Sequence, residues 1–158
     1  MAKIKYIDNL SEARQLAAVT NSGHAIKYFK NPSEAVQLAA VTQNGDAIQC
    51  IKNPSEAVQL AAVTRYSDSI RYIKNPSEAV QLEAVHKLGW VIKLIEGNPS
   101  EAVQLAAVTQ YGLAIQFIKN PSEAVQLAAV TKDGWAINGI DNPSETLRIF
   151  AELCKVYD

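Results

Sequence analysis

The residues of this chain that could do chemistry are two histidines, two cysteines and a recurring row of glutamates. His24 and His86 stand far apart in the 158-residue sequence. A metal pair or a catalytic dyad needs such groups close in space, so both read as ordinary surface residues. Glu34, Glu56, Glu78, Glu101 and Glu123 recur at steps of 22, 22, 23 and 22 residues. Set on neighbouring packed helices, such carboxylates would stand about 8–10 Å apart, which invites comparison with paired acids. Each follows an Asn-Pro-Ser triplet, however, and a helix-capping role accounts for every one of them. Lys30, Lys52, Lys74 and Lys119 recur just before the same triplet. There they suit the C-terminal end of a helix better than a stripe that tracks phosphates. No glycine-rich phosphate loop, HExxH pair or nucleophile elbow is present. Cys50 and Cys154 have no metal-ligand spacing and read as free thiols of a reducing compartment.

The elements that carry these residues are copies of one unit. The run Asn-Pro-Ser-Glu-Ala-Val-Gln-Leu-Ala-Ala-Val occurs letter for letter at 31–41, 53–63, 98–108 and 120–130, and variants begin at Asn9, Asn75 and Asn142. The proline position falls at Leu10, Pro32, Pro54, Pro76, Pro99, Pro121 and Pro143. A fixed period of this size is the signature of a solenoid. Within the unit, Asn53 is expected as N-cap, Pro54 at the first helical position and Glu56 as the reciprocal cap. A helix A of about eleven residues should run from there to Thr64. Glycine at 23, 45, 89, 112 and 134 suits the left-handed position that ends helices, with Ser67 the exception. A helix B of about seven residues follows, such as 46–52, and the next Asn-Pro stops it.

Helices this short are marginal alone in water, so packing must hold them. On an α-helical wheel helix A is apolar almost all round, with a narrow polar stripe near Ser55 and Gln59. The Val36 position becomes Arg14 in the first copy, and the Val41 position becomes Glu152 in the last. The Val36 column should therefore face the preceding repeat and the Val41 column the following one. The expected fold is all-α, an α-solenoid of about seven tandem 22-residue helix-turn-helix repeats with divergent end caps. It is read as one domain, 1–158, with a leading cap at 1–9 (a helix B over Lys3–Asp8), six repeats over 10–142 and a closing helix over 143–158. Gly97 is one extra residue, expected to change the stacking angle locally. Glu83 replaces an alanine on the apolar side, where a groove or a partner is expected to meet it.

The pattern Ala-Val-x-Leu-Ala-Ala-Val-x-x-x-Gly-x-Ala-Ile-x-x-Ile at 35–51, 57–73, 79–95, 102–118 and 124–140 resembles a family of short helical repeats known as a domain of unknown function. Members of that family occur in bacterial, viral and protist proteins. The resemblance implies the fold and is silent about activity. Ser67, Ser69, Val91 and Glu83 depart from it. The near-identity of the copies suggests recent tandem duplication and suits an inhibitor or adaptor encoded by a phage or mobile element.

Function in a repeat array sits where the copies differ. One variable column precedes the glycine (Ser22, Asn44, Tyr66, Leu88, Tyr111, Asp133) and another follows it (His24, Asp46, Asp68, Trp90, Leu113, Trp135). Large apolar side chains gather there at Tyr66, Leu88, Trp90, Tyr111, Leu113 and Trp135, and contiguous exposed ones mark interaction surfaces. The alternative is that the tryptophans fold back over the ends of helices B. A third column, Tyr28, Cys50, Tyr72, Leu94, Phe117 and Gly139, is expected to be half-buried core. The expected function is a non-enzymatic scaffold that binds a protein partner, or itself, through the A–B turn edge. A nucleic-acid-binding repeat is the alternative, disfavoured by a formal net charge of −1 and a pI near 6.1. No cofactor, metal or small-molecule substrate is implied. Neither a signal segment nor a run of 18 apolar residues is found, which points to a cytoplasmic, soluble protein.

Overall fold

The structure is a computed structural model that describes residues 10–156. The reading of Lys3–Asp8 as a leading helix, and of 1–9 as a cap, lies outside those residues. Seven α-helices alternate with six 3₁₀ helices, and the described residues contain no strand. The α-helices are α1 Glu12–Asn21, α2 Glu34–Gln43, α3 Glu56–Arg65, α4 Glu78–Lys87, α5 Glu101–Gln110, α6 Glu123–Lys132 and α7 Glu145–Lys155. The 3₁₀ helices are η1 Gly23–Tyr28, η2 Gly45–Cys50, η3 Ser67–Tyr72, η4 Gly89–Leu94, η5 Gly112–Phe117 and η6 Gly134–Gly139. The chain gathers into two compact units, Met1–Val80 and Gln81–Asp158. In the N-terminal unit α1 packs on α2 and α2 on α3, with η1 and η2 laid between them. In the C-terminal unit α5, α6 and α7 stack in the same way, with η5 and η6 between. This is the expected all-α, α-solenoid arrangement of about 22-residue repeats.

Helix B is a 3₁₀ helix rather than a short α-helix. A ten-residue helix A rises about 15 Å at 1.5 Å per residue. Six residues of η2 cover about 12 Å at the 3₁₀ rise of 2.0 Å but only about 9 Å as α-helix. The tighter winding lets a short segment span its neighbour. The backbone closes accordingly, with Ala47 N–H donating to Asn44 at 2.9 Å and Ile51 N–H to Ile48 at 2.9 Å. Three residues per turn also align side chains three apart. Gly45 and Ile48 are buried in line, whereas Gln49 and Lys52 are exposed on another line.

The cap of helix A sits two residues later than Asn53. Ser55 is the N-cap, and its Oγ accepts from Val58 N–H at 3.4 Å. Asn53 instead adopts a left-handed backbone with φ 54°, as do Asn75, Asn120 and Asn142. Asparagine tolerates that region better than most residues, and it turns the chain from η2 toward α3. Nor does Glu56 reach back to its own cap. Its carboxylate accepts the Ser77 hydroxyl of the following repeat, as Glu12 does from Ser33, Glu34 from Ser55 and Glu101 from Ser122. The glutamate row is a ladder between repeats, set in the first turn of each helix where a negative charge is favoured.

In the polar stripe near Ser55 and Gln59 the serine is exposed but the glutamine is not. Gln59 turns inward and donates to the Pro54 carbonyl at 3.0 Å, Gln37 does so to Pro32 at 3.0 Å, and Gln104, buried, to Pro99 at 2.8 Å. The exposed side carries Ala57 and Thr64 instead. The core contains the columns of Val36, Ala40 and Val41, fully buried in each interior repeat, together with the isoleucine column of Ile26, Ile48, Ile70, Ile92 and Ile115 from the 3₁₀ helices. Val19 and Val36 share one cluster between α1 and α2, as the expected facing requires. Arg14 and Glu152, in the same columns, are exposed. Glu152 pairs with Lys155 at 2.7 Å on α7.

The turn glycines are not left-handed. The only glycine with positive φ is Gly97, at 88°, where it takes the turn position that asparagine holds in other repeats and so absorbs the extra residue. The remaining turn glycines are required by close approach. A Cβ on Gly45 would stand 2.6 Å from the carbonyl oxygen of Ala62, and one on Gly112 would stand 2.8 Å from that of Ala129. Glu83 lies half-buried on α4 and pairs with Lys87 one turn on, at 3.8 Å.

Candidate interaction surface

The A–B turn places each residue of the two variable columns in a fixed register. The residue before the turn glycine, or before Ser67 in the third repeat, ends the α-helix in an extended conformation, with φ −140° at Tyr66, −141° at Leu88 and −145° at Tyr111. Tyr66 and Tyr111 then lean on the glycine of the preceding repeat. Tyr66 Cδ2 would meet a Cβ on Gly45 at 3.1 Å, and Tyr111 Cβ would meet one on Gly89 at 3.0 Å. The missing side chain of one repeat is thus the seat of the next repeat's variable residue. Where helix A ends in glutamine, the seat is fastened as well. Gly23 N–H donates to Gln43 Oε1 at 2.7 Å, and Gly89 N–H to Gln110 Oε1 at 2.6 Å.

In the C-terminal unit this register brings five of the six expected residues onto one edge. Leu88 and Tyr111 are 39% and 38% exposed and Trp135 is 58% exposed. Trp90 and Leu113, on the second residue of their 3₁₀ helices, are half-buried. A cleft of about 370 Å³ is lined by Tyr111 and Trp135 with Gln110, Lys132 and Asp133. Asp133 Oδ1 accepts from Trp135 N–H at 2.8 Å and fixes the start of η6. Two ammonium groups sit on the indoles: Lys93 lies 4.8 Å from the Trp90 ring centre and Lys155 lies 4.6 Å from that of Trp135. Tyr66, 42% exposed, belongs to the N-terminal unit and stacks under Arg65 at 5.2 Å.

The third column is not half-buried core throughout. Tyr28, Tyr72 and Phe117 are about two-fifths exposed, and only Cys50 and Leu94 are intermediate. Each closes a six-residue 3₁₀ helix, where the element leaves the packed layer. The half-buried reading rested on the column being largely apolar, and apolar character alone does not tell where a 3₁₀ helix ends its packed layer.

The other chemistry-bearing residues stay dispersed. His24 contacts the Asn44 and Gln49 side-chain amides at 3.4 Å each, while His86 is exposed on α4 in the other unit. Among the described residues, no three His, Cys, Asp or Glu side chains gather as a metal site. Ser69, in a column otherwise small and apolar, is buried and donates to Asp46 Oδ1 at 2.7 Å. No described helix is long and apolar enough to cross a membrane. No protein-family model, curated protein or solved structure matches the chain, so the family likeness rests on the quoted repeat motif alone.

Proposed function

We propose that this protein is a non-enzymatic scaffold that binds a protein partner through the A–B turn edge of its C-terminal unit, as an adaptor or inhibitor would. The observation that carries the reading is the exposure of Leu88, Tyr111 and Trp135 in register on that edge. Large apolar groups on a polar surface lose little when a partner covers them, and aromatic anchors supply much of the energy of protein interfaces. The half-buried Trp90 and Leu113 would floor the contact, and the cleft between Tyr111 and Trp135 would accept a side chain of the partner. Lys93, over the Trp90 indole and exposed, adds a positive group beside the apolar edge, which suits a partner with an acidic group next to its apolar centre.

The test combines Tyr111→Ala with Trp135→Ala and reads thermal stability, oligomeric mass and capture of binding proteins together. A protein retained by the wild type and lost with the double variant, at unchanged Tm, supports the reading. A dimer turned monomer by the same change identifies the partner as a second copy. A lowered Tm with capture intact makes the two aromatics structural and removes the site.

A further inference from the structure

On the opposite edge of the N-terminal unit, the turns that follow the 3₁₀ helices place Lys30, Lys52 and Lys74 at matched positions. A groove of about 470 Å³ runs between the first two repeats there, lined by Lys27, Lys30 and Lys52, the Cys50 thiol and the Asn-Pro turns. No carboxylate lines it. The corresponding groove between the η5 and η6 repeats, about 720 Å³, carries Lys119 but also Asp141, so the basic lining is particular to the N-terminal unit. Lys74 holds the Lys30 and Lys52 position in the third repeat, and all three are exposed. Five carboxylates of the unit have partners outside the groove lining. Glu12, Glu34 and Glu56 accept the serine hydroxyls of the ladder, Asp46 accepts from Ser69, and Asp68 binds Arg71 at 2.5 Å. Two exposed aromatics stand one repeat to either side of Cys50 in its column, Tyr28 beneath Lys27 at 4.9 Å and Tyr72 beneath Arg71 at 5.9 Å.

We propose that this edge of the N-terminal unit binds single-stranded nucleic acid, with the lysines on phosphates and Tyr28 and Tyr72 as stacking platforms. Single-strand binding combines a positive groove that follows the backbone with aromatic faces for successive bases. Each of the three repeats supplies a lysine from the turn, and the first and third supply a tyrosine as the last residue of the 3₁₀ helix. The near-neutral net charge does not oppose this, because binding depends on the local field rather than the sum. A duplex is disfavoured, since its bases are paired and offer no face to the tyrosines. The surface is independent of the A–B turn edge and involves none of its residues.

The experiment is fluorescence anisotropy of the full chain with a labelled oligo-uridine or oligo-thymidine 12-mer across a salt series. Three lysine–phosphate contacts predict a slope of log K against log salt of about −2. Lys30→Gln with Lys52→Gln and Lys74→Gln should weaken binding about tenfold or more at low salt and flatten the slope. Tyr28→Ala with Tyr72→Ala should weaken binding about tenfold while leaving the slope intact. The oligonucleotide should also slow alkylation of Cys50. Absence of binding at low salt, or an equal loss with Lys119→Gln and Lys132→Gln in the C-terminal unit, would overturn the proposal. So would heparin binding as tightly as the oligonucleotide with no response to the tyrosine changes, which would leave a general polyanion surface. All substituted positions are exposed, and Tm reports whether each variant is folded.

Discussion

A Cβ built on Gly89 would stand 2.3 Å from the carbonyl oxygen of Ala107 in the following repeat. That approach is closer than atoms of either type can tolerate, and the obstacle is backbone rather than a flexible side chain. Gly89→Ala should therefore destabilise the C-terminal unit by about 2–4 kcal/mol through overpacking. Gly97 has open space around it and a φ of 88°, so Gly97→Ala should cost only about 1 kcal/mol of backbone strain. Gly97→Asn should cost less, since asparagine already adopts this conformation at Asn75 and Asn120. Urea melts of the three variants give the order directly, and an equal loss in Gly89→Ala and Gly97→Ala would contradict the close approach.

The two valine columns predict an asymmetry between interior and end. Val58 is fully buried in the N-terminal unit while Arg14, in the same column, is exposed. Val58→Arg should cost about 3–5 kcal/mol, because it buries a charge with no partner. Arg14→Val should change stability by less than about 0.5 kcal/mol. Thermal melts decide the matter, and a Val58→Arg protein as stable as the wild type would refute the assigned packing.

The serine ladder has two functions in each hydroxyl, and substitution separates them. Ser55 caps α3 through Val58 N–H and donates to Glu34 of the preceding repeat. Ser55→Ala should lose about 1 kcal/mol. Ser55→Asp restores a capping acceptor but sets a carboxylate against Glu34, so it should be no better than alanine. Adding Glu34→Gln should then rescue the aspartate variant and not the alanine variant. A double-mutant cycle with no coupling between positions 34 and 55 would show that the ladder carries no energy.

Cys50 supplies a pH-dependent readout. Burial pushes its thiol above the ordinary value, and the nearby Lys27 ammonium pulls it partly back. The thiolate is the nucleophile, so at neutral pH the reactive fraction is smaller than for an ordinary exposed cysteine. Alkylation by iodoacetamide should be slow near pH 7 and rise as pH approaches the raised value. Removing the cation with Lys27→Gln should move the rate profile further toward high pH. The measurement belongs in a Cys154→Ser background, and a profile that moves toward low pH would mean that Lys27 does not act on the thiol.

Much of the architecture was legible because it follows from local chemistry repeated at a fixed step. Asn-Pro-Ser-Glu followed by apolar helix formers marks a helix start wherever it occurs, and the 22-residue period requires neighbouring copies to stack. The replacement of valine by Arg14 and Glu152 at the two ends named the facing columns without any coordinates. The six turn residues proposed for binding were also reached from variation between copies alone. The structure gathers Leu88, Trp90, Tyr111, Leu113 and Trp135 on one edge of the C-terminal unit and leaves Tyr66 in the other unit.

What the sequence left undecided depends on distances between repeats. The apolar character of their column assigned Tyr28 and Tyr72 to half-buried core, but six residues must span a ten-residue neighbour, so the segment winds as 3₁₀ and both rings emerge. Capping rules name Asn53 and Glu56 as partners within one helix. Helix stacking instead brings Glu56 to the next repeat's serine, and the turn leaves Asn53 left-handed. The glycines illustrate the same division. Their spacing fixes where each turn falls, but their necessity comes from a carbonyl oxygen 2.3 to 2.9 Å from the missing Cβ, one repeat away in the chain. Local propensity acts through a few bonds and is written in each copy. Close approach between copies arises only when they pack, so the tertiary structure decided it.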